Sequence, residues 1–376
     1  MNATLSVTRI KAEFQEKGVR VPAGLVAELE SDYNAPAIST GRMVLCLRSP
    51  GGNGELIPVF IVNGKRADRS PYHLQKIANG TFEVWKGNAK YSDVVLIPRP
   101  QFYGRFTSGD IPMSKVAVIV GPGHLRSVAN QRCFYQQIGQ ACKFCAVQHW
   151  WNAMPVKGPV QIAETVEAGF QEGCVKHISL TTATLETPDK GLANLIEAAG
   201  LIRARCQVPM MLEFEPIQDH ELLRSWLRQA RELGVTSISL NIECFDEALR
   251  PNIMPAKGKI SIREYVNNWL IGLDIFGRNE VSTTAVVGIG EGDGSILRGV
   301  EMAASLGVLT FLVPHSPAKG AAFEDMQPPA ADRMLLLYEK AAELYRKYGL
   351  DLCSCTAGCV RGGGFSAIKD VARFGI

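Results

Sequence analysis

"HELLRSWLRQARELGVTSISLNIE" (220–243) decides how the chain folds. It opens as an amphipathic helical pattern that stops at Gly234, the residue type that helix C-termini favour. "VTSISLNIE" (235–243) then reads as a strand, a short apolar run rich in β-branched residues. The same cadence recurs on both sides. Strand patterns occupy "KHISLTT" (176–182), "PMMLEFE" (209–215), "VSTTAVVGI" (281–289) and "VLTFLVP" (308–314). Helical patterns such as "PVQIAETVEAGFQEGC" and "SILRGVEMAASLG" lie between them and end in Gly or Gly-Cys. Strand, helix and strand at this spacing build right-handed βαβ units and a parallel sheet. With a first strand leading into Cys133, six units are expected. The predicted fold class is α/β, a partial (β/α)6 parallel barrel.

The flanks read differently. Before about residue 115, "GRMVLCLRSP", "LIPVFIVNG", "GTFEVWKG" and "DVVLIPRP" look like short strands joined by Gly, Pro and Asn turns. Residues 1–115 are therefore expected to form a small N-terminal α/β module, residues 116–350 the barrel, and residues 351–376 a Cys- and Gly-rich C-terminal tail. The balance of 40 basic against 37 acidic residues leaves +3, which argues against a nucleic-acid binder working through a basic surface. No apolar run reaches the length of a bilayer span and the N-terminus lacks an apolar signal core, so a cytoplasmic protein with no membrane partner is expected. Ten cysteines in such a chain read as metal ligands or core residues rather than disulfides.

The cysteines fall into two groups and four singles. "CFYQQIGQACKFC" holds Cys133, Cys142 and Cys145, and "CSCTAGC" holds Cys353, Cys355 and Cys359. Cys46, Cys174, Cys206 and Cys244 stand alone beside apolar segments and are expected to be buried, inert thiols. Three thiols without a fourth leave two metals in competition. Structural zinc takes four protein ligands in a closed tetrahedron. A cubane iron–sulfur cluster held by three thiolates keeps one iron corner open for chemistry. A loop that follows the first barrel strand lies at the C-terminal face of the sheet, where ligands bind.

Three cysteines in that loop, with Phe144 just before the last, resemble the cluster loop of the radical S-adenosylmethionine superfamily, although the first gap is eight residues rather than the commoner three. The motifs that follow, over about residues 126–320, resemble its biotin synthase and lipoyl synthase branch. "SLNIE" is similar to that branch's ribose grip, which assigns Asn241 and Glu243, two apart and so on one face of a strand. "STTAVVGIGEG" (282–292) resembles its adenine-flanking strand, which brings in Gly288. "LTTATLETPDKG" (180–191) stands where members hold the methionyl amine, which brings in Thr182. Arg263 in "SIREY" corresponds best to the arginine that pairs with the methionyl carboxylate, and Arg250 is a rival.

The resemblance implies a [4Fe-4S] cluster on Cys133, Cys142 and Cys145, bound S-adenosyl-L-methionine, and reductive cleavage to a 5′-deoxyadenosyl radical that attacks a C–H bond. It implies a small-molecule or acyl-carrier substrate and a flavodoxin- or ferredoxin-type reductant. The tail cysteines suggest an auxiliary iron–sulfur cluster, which makes sulfur insertion the leading subtype and leaves rearrangement or another transformation of a small molecule open. A zinc knuckle or redox dithiol is the alternative for the tail, and a zinc-stabilised binding protein the alternative for the whole chain. An ordinary barrel lyase or aldolase would need Glu213, Glu215 and His315 as its catalytic set. His149, Trp150 and Trp151 are candidate roof residues over the cofactor or substrate.

Overall fold

The computed structural model describes residues 6–35, 42–62, 67–150 and 152–376. Its N-terminal part holds helices α1 (Val7–Lys17) and α2 (Ala23–Asp32), an antiparallel pair β1 (Arg42–Arg48) and β2 (Leu56–Val62), and a meander of β3 (Tyr72–Lys76), β4 (Phe82–Lys86) and β5 (Ala89–Val94). β3 and β4 alternate buried and accessible positions while β1 and β2 are buried over most of their length, and together they pack a small core of Phe14, Leu45, Val59, Tyr72 and Val84. The two helices are absent from the strand patterns of this part of the sequence.

From α3 (Met113–Val116) the chain enters a seven-stranded sheet, one strand more than expected. β6 (Val118–Gly121) runs antiparallel at the edge beside β7 (Gly123–Val128). After α4 (Phe134–Gln137) and α5 (Pro159–Gln171), the parallel strands follow in chain order: β8 (Val175–Thr181), β9 (Met210–Glu213), β10 (Val235–Ser239), β11 (Val281–Val287) and β12 (Leu309–Pro314). Helices α6 (Leu192–Arg203), α7 (His220–Glu232), α9 (Ile262–Phe276) and α10 (Asp293–Leu306) connect them, with the short α8 (Arg250–Ile253) before α9. The sheet curls into the expected partial barrel. Helix starts are fixed by side chains that satisfy free N–H groups: Asp219 accepts from Leu222 N at 3.0 Å, and Ser261 from Glu264 N at 3.2 Å.

Strand alternation sorts the two faces of the sheet. On β8, Ile178 and Leu180 point outward into a core shared with Ile162 and Leu195 of the flanking helices. His177, Ser179 and Thr181 point inward, as do Ser237 and Ser239 on β10. The barrel interior is thus lined on these strands by small polar groups rather than branched apolar ones.

After α11 (Ala331–Lys347), the tail closes the interior from below. Helix α12 (Gly358–Gly362) packs against β7, β8 and β9, and α13 (Ile368–Phe374) against α1 and α11. The glycines of α12 are there for space. A Cβ at Gly358, where φ is 86°, would come within 2.0 Å of Met211 Sδ, and one at Gly362 within 2.4 Å of His124 Nδ1. Two links tie this plug to the N-terminal part. Lys11 is fully buried and donates to Asp370 Oδ2 at 2.7 Å and Gly363 O at 2.9 Å, and the Phe60 and Phe365 rings meet at 4.7 Å. No helix among the described residues is long and apolar enough to cross a membrane.

Under the plug, His124 and His177 stack at 4.4 Å; His124 shares a 2.6 Å hydrogen bond with Ser179, and His177 Nδ1 accepts from Gly358 N at 3.2 Å. Burial, aided by Arg361 and Lys369, holds the His177 imidazole down at about 3, and burial with His177 and Arg126 holds His124 well below its usual value. A histidine kept neutral in the fold gives no penalty above its unfolded pKa of about 6.5 and an increasing one as pH falls below it. Between pH 7 and 5 the wild type should therefore lose about 2 kcal/mol more stability than His177→Gln, measured by urea unfolding at each pH. Equal losses would place the pH sensitivity elsewhere.

Candidate active site

The cysteine loop leaves the top of β7 and is pinned by two amides. Asn130 Oδ1 accepts from Arg132 N at 3.1 Å. Gln131 Nε2 donates to Val147 O at 2.8 Å, while its Oε1 accepts from Met154 N at 3.0 Å. The long first gap has a local explanation. Cys133 precedes the single turn of α4, whose N–H groups return to its carbonyl, and the chain reverses at Gly139, where φ is 69°. Cys142 O then accepts from Cys145 N at 3.0 Å. The extra residues form a turn and a reversal, and all three thiols stay within electrostatic reach of one another. Burial pushes the Cys142 thiol up, Lys257 opposes this, and Cys145, Glu243 and Cys133 add to it; Cys145 is raised by burial and by Cys133. Three cations surround the set: Arg42 and Arg126 act with Cys145, and Lys257 with Cys142. Cationic surroundings suit an anionic, thiolate-ligated group, although among the described residues no three metal-ligating side chains are gathered closely enough to hold a metal ion. Phe144 packs beside Cys142 in a small apolar cluster with Met254, Val286 and Ile289.

The strand ends supply the polar partners. Thr181 Oγ1 donates to Glu213 Oε1 at 3.0 Å, and Arg126 approaches the same oxygen at 3.4 Å. Glu215 accepts from Tyr135 OH at 2.5 Å and Thr184 Oγ1 at 2.7 Å, which ties the cluster loop to the ends of β8 and β9. Thr182 turns aside and donates to Ala183 O at 2.9 Å. The Asn241–Glu243 pair departs from the expected alternation. β10 ends at Ser239, and Glu243 takes a left-handed φ of 66° before its backbone rejoins β11. Asn241 Oδ1 accepts from Ser239 Oγ at 2.8 Å and Thr284 N at 3.2 Å, and Glu243 accepts from Lys257 Nζ at 3.0 Å. Gly288 and Gly290 have φ of 99° and 114°, and a Cβ at Gly288 would meet Pro329 Cδ at 2.9 Å.

Of the two arginine candidates, Arg250 is a brace. It is fully buried, and its guanidinium donates to Ile242 O, Cys244 O, Lys257 O and Ile260 O at 2.8 to 3.4 Å. Arg263 is exposed on the first turn of α9, and among the described residues no hydrogen bond or ion pair joins it to the site. Lys257, beside Glu243 and Cys142, is the cation that sequence reasoning missed. Trp150 lies over Arg126, and His149 is exposed against Gly320. Trp151 falls outside the described residues. His315 is buried, and its ring meets Phe323 O at 3.3 Å.

The tail thiols do not share one environment. Cys353 acts with Lys369 and Asp351; Cys355 is buried beside Glu280 and donates to Ala357 O at 3.3 Å; Cys359 lies in the barrel interior with Arg126, Glu213 and Ser179. Burial raises Cys355 to about 12 and Cys359 to about 11. Cys46, Cys206 and Cys244 are buried; Cys174 is half-buried and bonded to Gly169 O.

Residues 135–303 match the family model described as "Radical SAM superfamily". The matched segment is less than half of the chain, which is similar to that superfamily over those residues. Among solved structures it is similar to that described as "Crystal structure of methylornithine synthase (PylB)", at 13% identity over 60% of this chain and 62% of that one, with a TM-score of 0.46. It is also similar to the FeFe-hydrogenase maturase HydG from Carboxydothermus hydrogenoformans, at 13% identity over 60% and 52%, with a TM-score of 0.45. The similarity thus spans less than two thirds of either chain. No curated protein matches the sequence.

Proposed function

We propose that this chain binds the cluster through Cys133, Cys142 and Cys145 and functionalises a C–H bond of a small molecule held in the polar barrel interior. The observation that carries this reading is the spacing of Cys133, Cys142 and Cys145 on the one loop that leaves β7 at the C-terminal face of the sheet. When bound, cluster and S-adenosylmethionine supply a 5′-deoxyadenosyl radical, which no side chain can generate unaided. The chain's own part is to orient and to exclude water. Asn241, its carbonyl fixed by Ser239 and Thr284, presents its amide N–H groups to a ribose hydroxyl. Lys257 rather than Arg250 or Arg263 offers a cation for the methionyl carboxylate. Gly288 and Gly290 let backbone lie close to the adenine, and Phe144 packs beside the cluster loop. The plug below and the aromatic Trp150 above limit access of water.

Sulfur insertion of the biotin or lipoyl type would use a second cluster. The tail cysteines are the candidates for it, and their separate surroundings favour a structural plug, so the reading stays with C–H functionalisation. Either an acyl carrier or a free small molecule fits an interior of this polarity, and a flavodoxin or ferredoxin suits the electron delivery. The test is anaerobic reconstitution. The protein should turn brown, bind about four irons per chain, bleach with dithionite and then release 5′-deoxyadenosine from S-adenosylmethionine. A colourless protein with one tightly held zinc would end the radical reading.

A further inference from the structure

We propose that Arg126 is a recognition site for a carboxylate carried by the substrate; this deepens the reading above, because it takes the barrel interior to be the substrate's chamber. Arg126 lies on the inner face of β7, between Leu125, which faces the outer core, and Ser127, whose hydroxyl donates to Val116 O at 2.7 Å on the outer side. Its side chain keeps 18% of its surface accessible and that of Glu213 keeps 16%, although both stand over the α12 plug.

The bonding of Arg126 is incomplete. The partner of its guanidinium is Glu213, at a long 3.4 Å through one nitrogen, and its Nε is buried with no hydrogen-bond partner. Glu213 is independently held by Thr181 at 3.0 Å. Arg250, whose Nε is likewise buried without a partner, shows how this protein treats a structural arginine, with four carbonyl acceptors on its two terminal nitrogens. Two rings lie beside Arg126 instead, Trp150 at 5.6 Å and Phe365 at 5.9 Å. A guanidinium held by rings rather than by carbonyl acceptors keeps donors for a planar anion, and its edge matches a carboxylate two bonds at a time. The acidic neighbour tells against a doubly charged phosphate and would welcome an amino group on the same molecule. The substrate class is a small carboxylic acid, amino acids included.

If Arg126 served only to neutralise Glu213, removing Glu213 would bring no gain in anion binding. The measurement is saturation-transfer NMR on the reconstituted protein with S-adenosylmethionine present throughout, using acetate and glycine as probes against acetamide and glycinamide. Wild type should bind the acids several-fold better than the amides. Arg126→Met combined with Glu213→Gln, which removes both charges and leaves no unpaired carboxylate, should weaken acetate by about tenfold or more. Glu213→Gln alone should tighten acetate roughly fivefold, because it removes the internal competitor. Equal binding of acids and amides, or an unaffected double variant, would each overturn the assignment. Iron content and 5′-deoxyadenosine release on the same preparations report on the cluster separately, so failure of the carboxylate site and failure of the radical reading are told apart.

Discussion

Replacing Cys133, Cys142 and Cys145 together with alanine should give a folded, colourless chain whose iron falls from about four per chain to background. The three thiols lie on a loop outside the main core, pinned by Asn130 and Gln131 rather than by the sulfurs themselves. The barrel should therefore unfold at nearly the wild-type temperature, and release of 5′-deoxyadenosine should vanish. The matching variant of Cys353, Cys355 and Cys359 should do the reverse. It should keep its iron and lose stability, because Cys355 is 2% exposed in the floor of the barrel and its loss leaves a void. Iron assay, visible absorption and thermal unfolding on the two variants side by side make the comparison. Loss of half the iron from the tail variant would restore an auxiliary cluster, and sulfur insertion with it.

Lys11→Met should cost about 3–5 kcal/mol, a large part of the stability of a domain of ordinary size. The ammonium is fully buried, 2.7 Å from an Asp370 carboxylate that is itself only 6% exposed. Taking away one partner leaves a charge in the interior without compensation, and that penalty rather than the pair's net value is what the variant measures. Combining it with Asp370→Asn removes the orphan and should recover a good part of the loss. Both effects should persist in high salt, since a pair this enclosed is little screened. Urea unfolding at neutral pH reads all three. A loss below about 1 kcal/mol in the single variant would mean that α1 and α13 are held together by their apolar contacts alone.

How far the sequence carried these conclusions depended on the range of the interactions. Helix and strand patterns such as 220–239 are local, and the amphipathic run, Gly234 and the β-branched stretch all point to one unit. β6 escaped because "VIVG" is four residues long and turns back at once through Gly123. The cysteine loop was legible because its chemistry lies within thirteen residues. The Asn241–Glu243 pair was legible as residues but not as geometry: alternation holds only while the backbone stays extended, and Glu243 leaves it at φ 66°. Arg126 and Lys257 gave no local signal. Arg126 meets a carboxylate 87 residues away, across two strands of the sheet, and only the assembled barrel brings them together. The tail was legible as a concentration of thiols, while its spread across the barrel floor is set by the glycines that let α12 approach Met211 and His124.

The plug also has a consequence in time. A ribosome makes every strand of the sheet before it makes α12, so the emerging chain passes through a stage in which the barrel is open at its lower end. His124, Ser179 and Met211 then face water, and Lys11 waits for Asp370, which is made 359 residues later. Closure of the barrel is therefore expected only after residues 358–370 have emerged, with its slow phase set by docking of that segment rather than by the order of the strands. A nascent chain stalled before residue 351 should expose the barrel floor to protease, and release of the full chain should protect it.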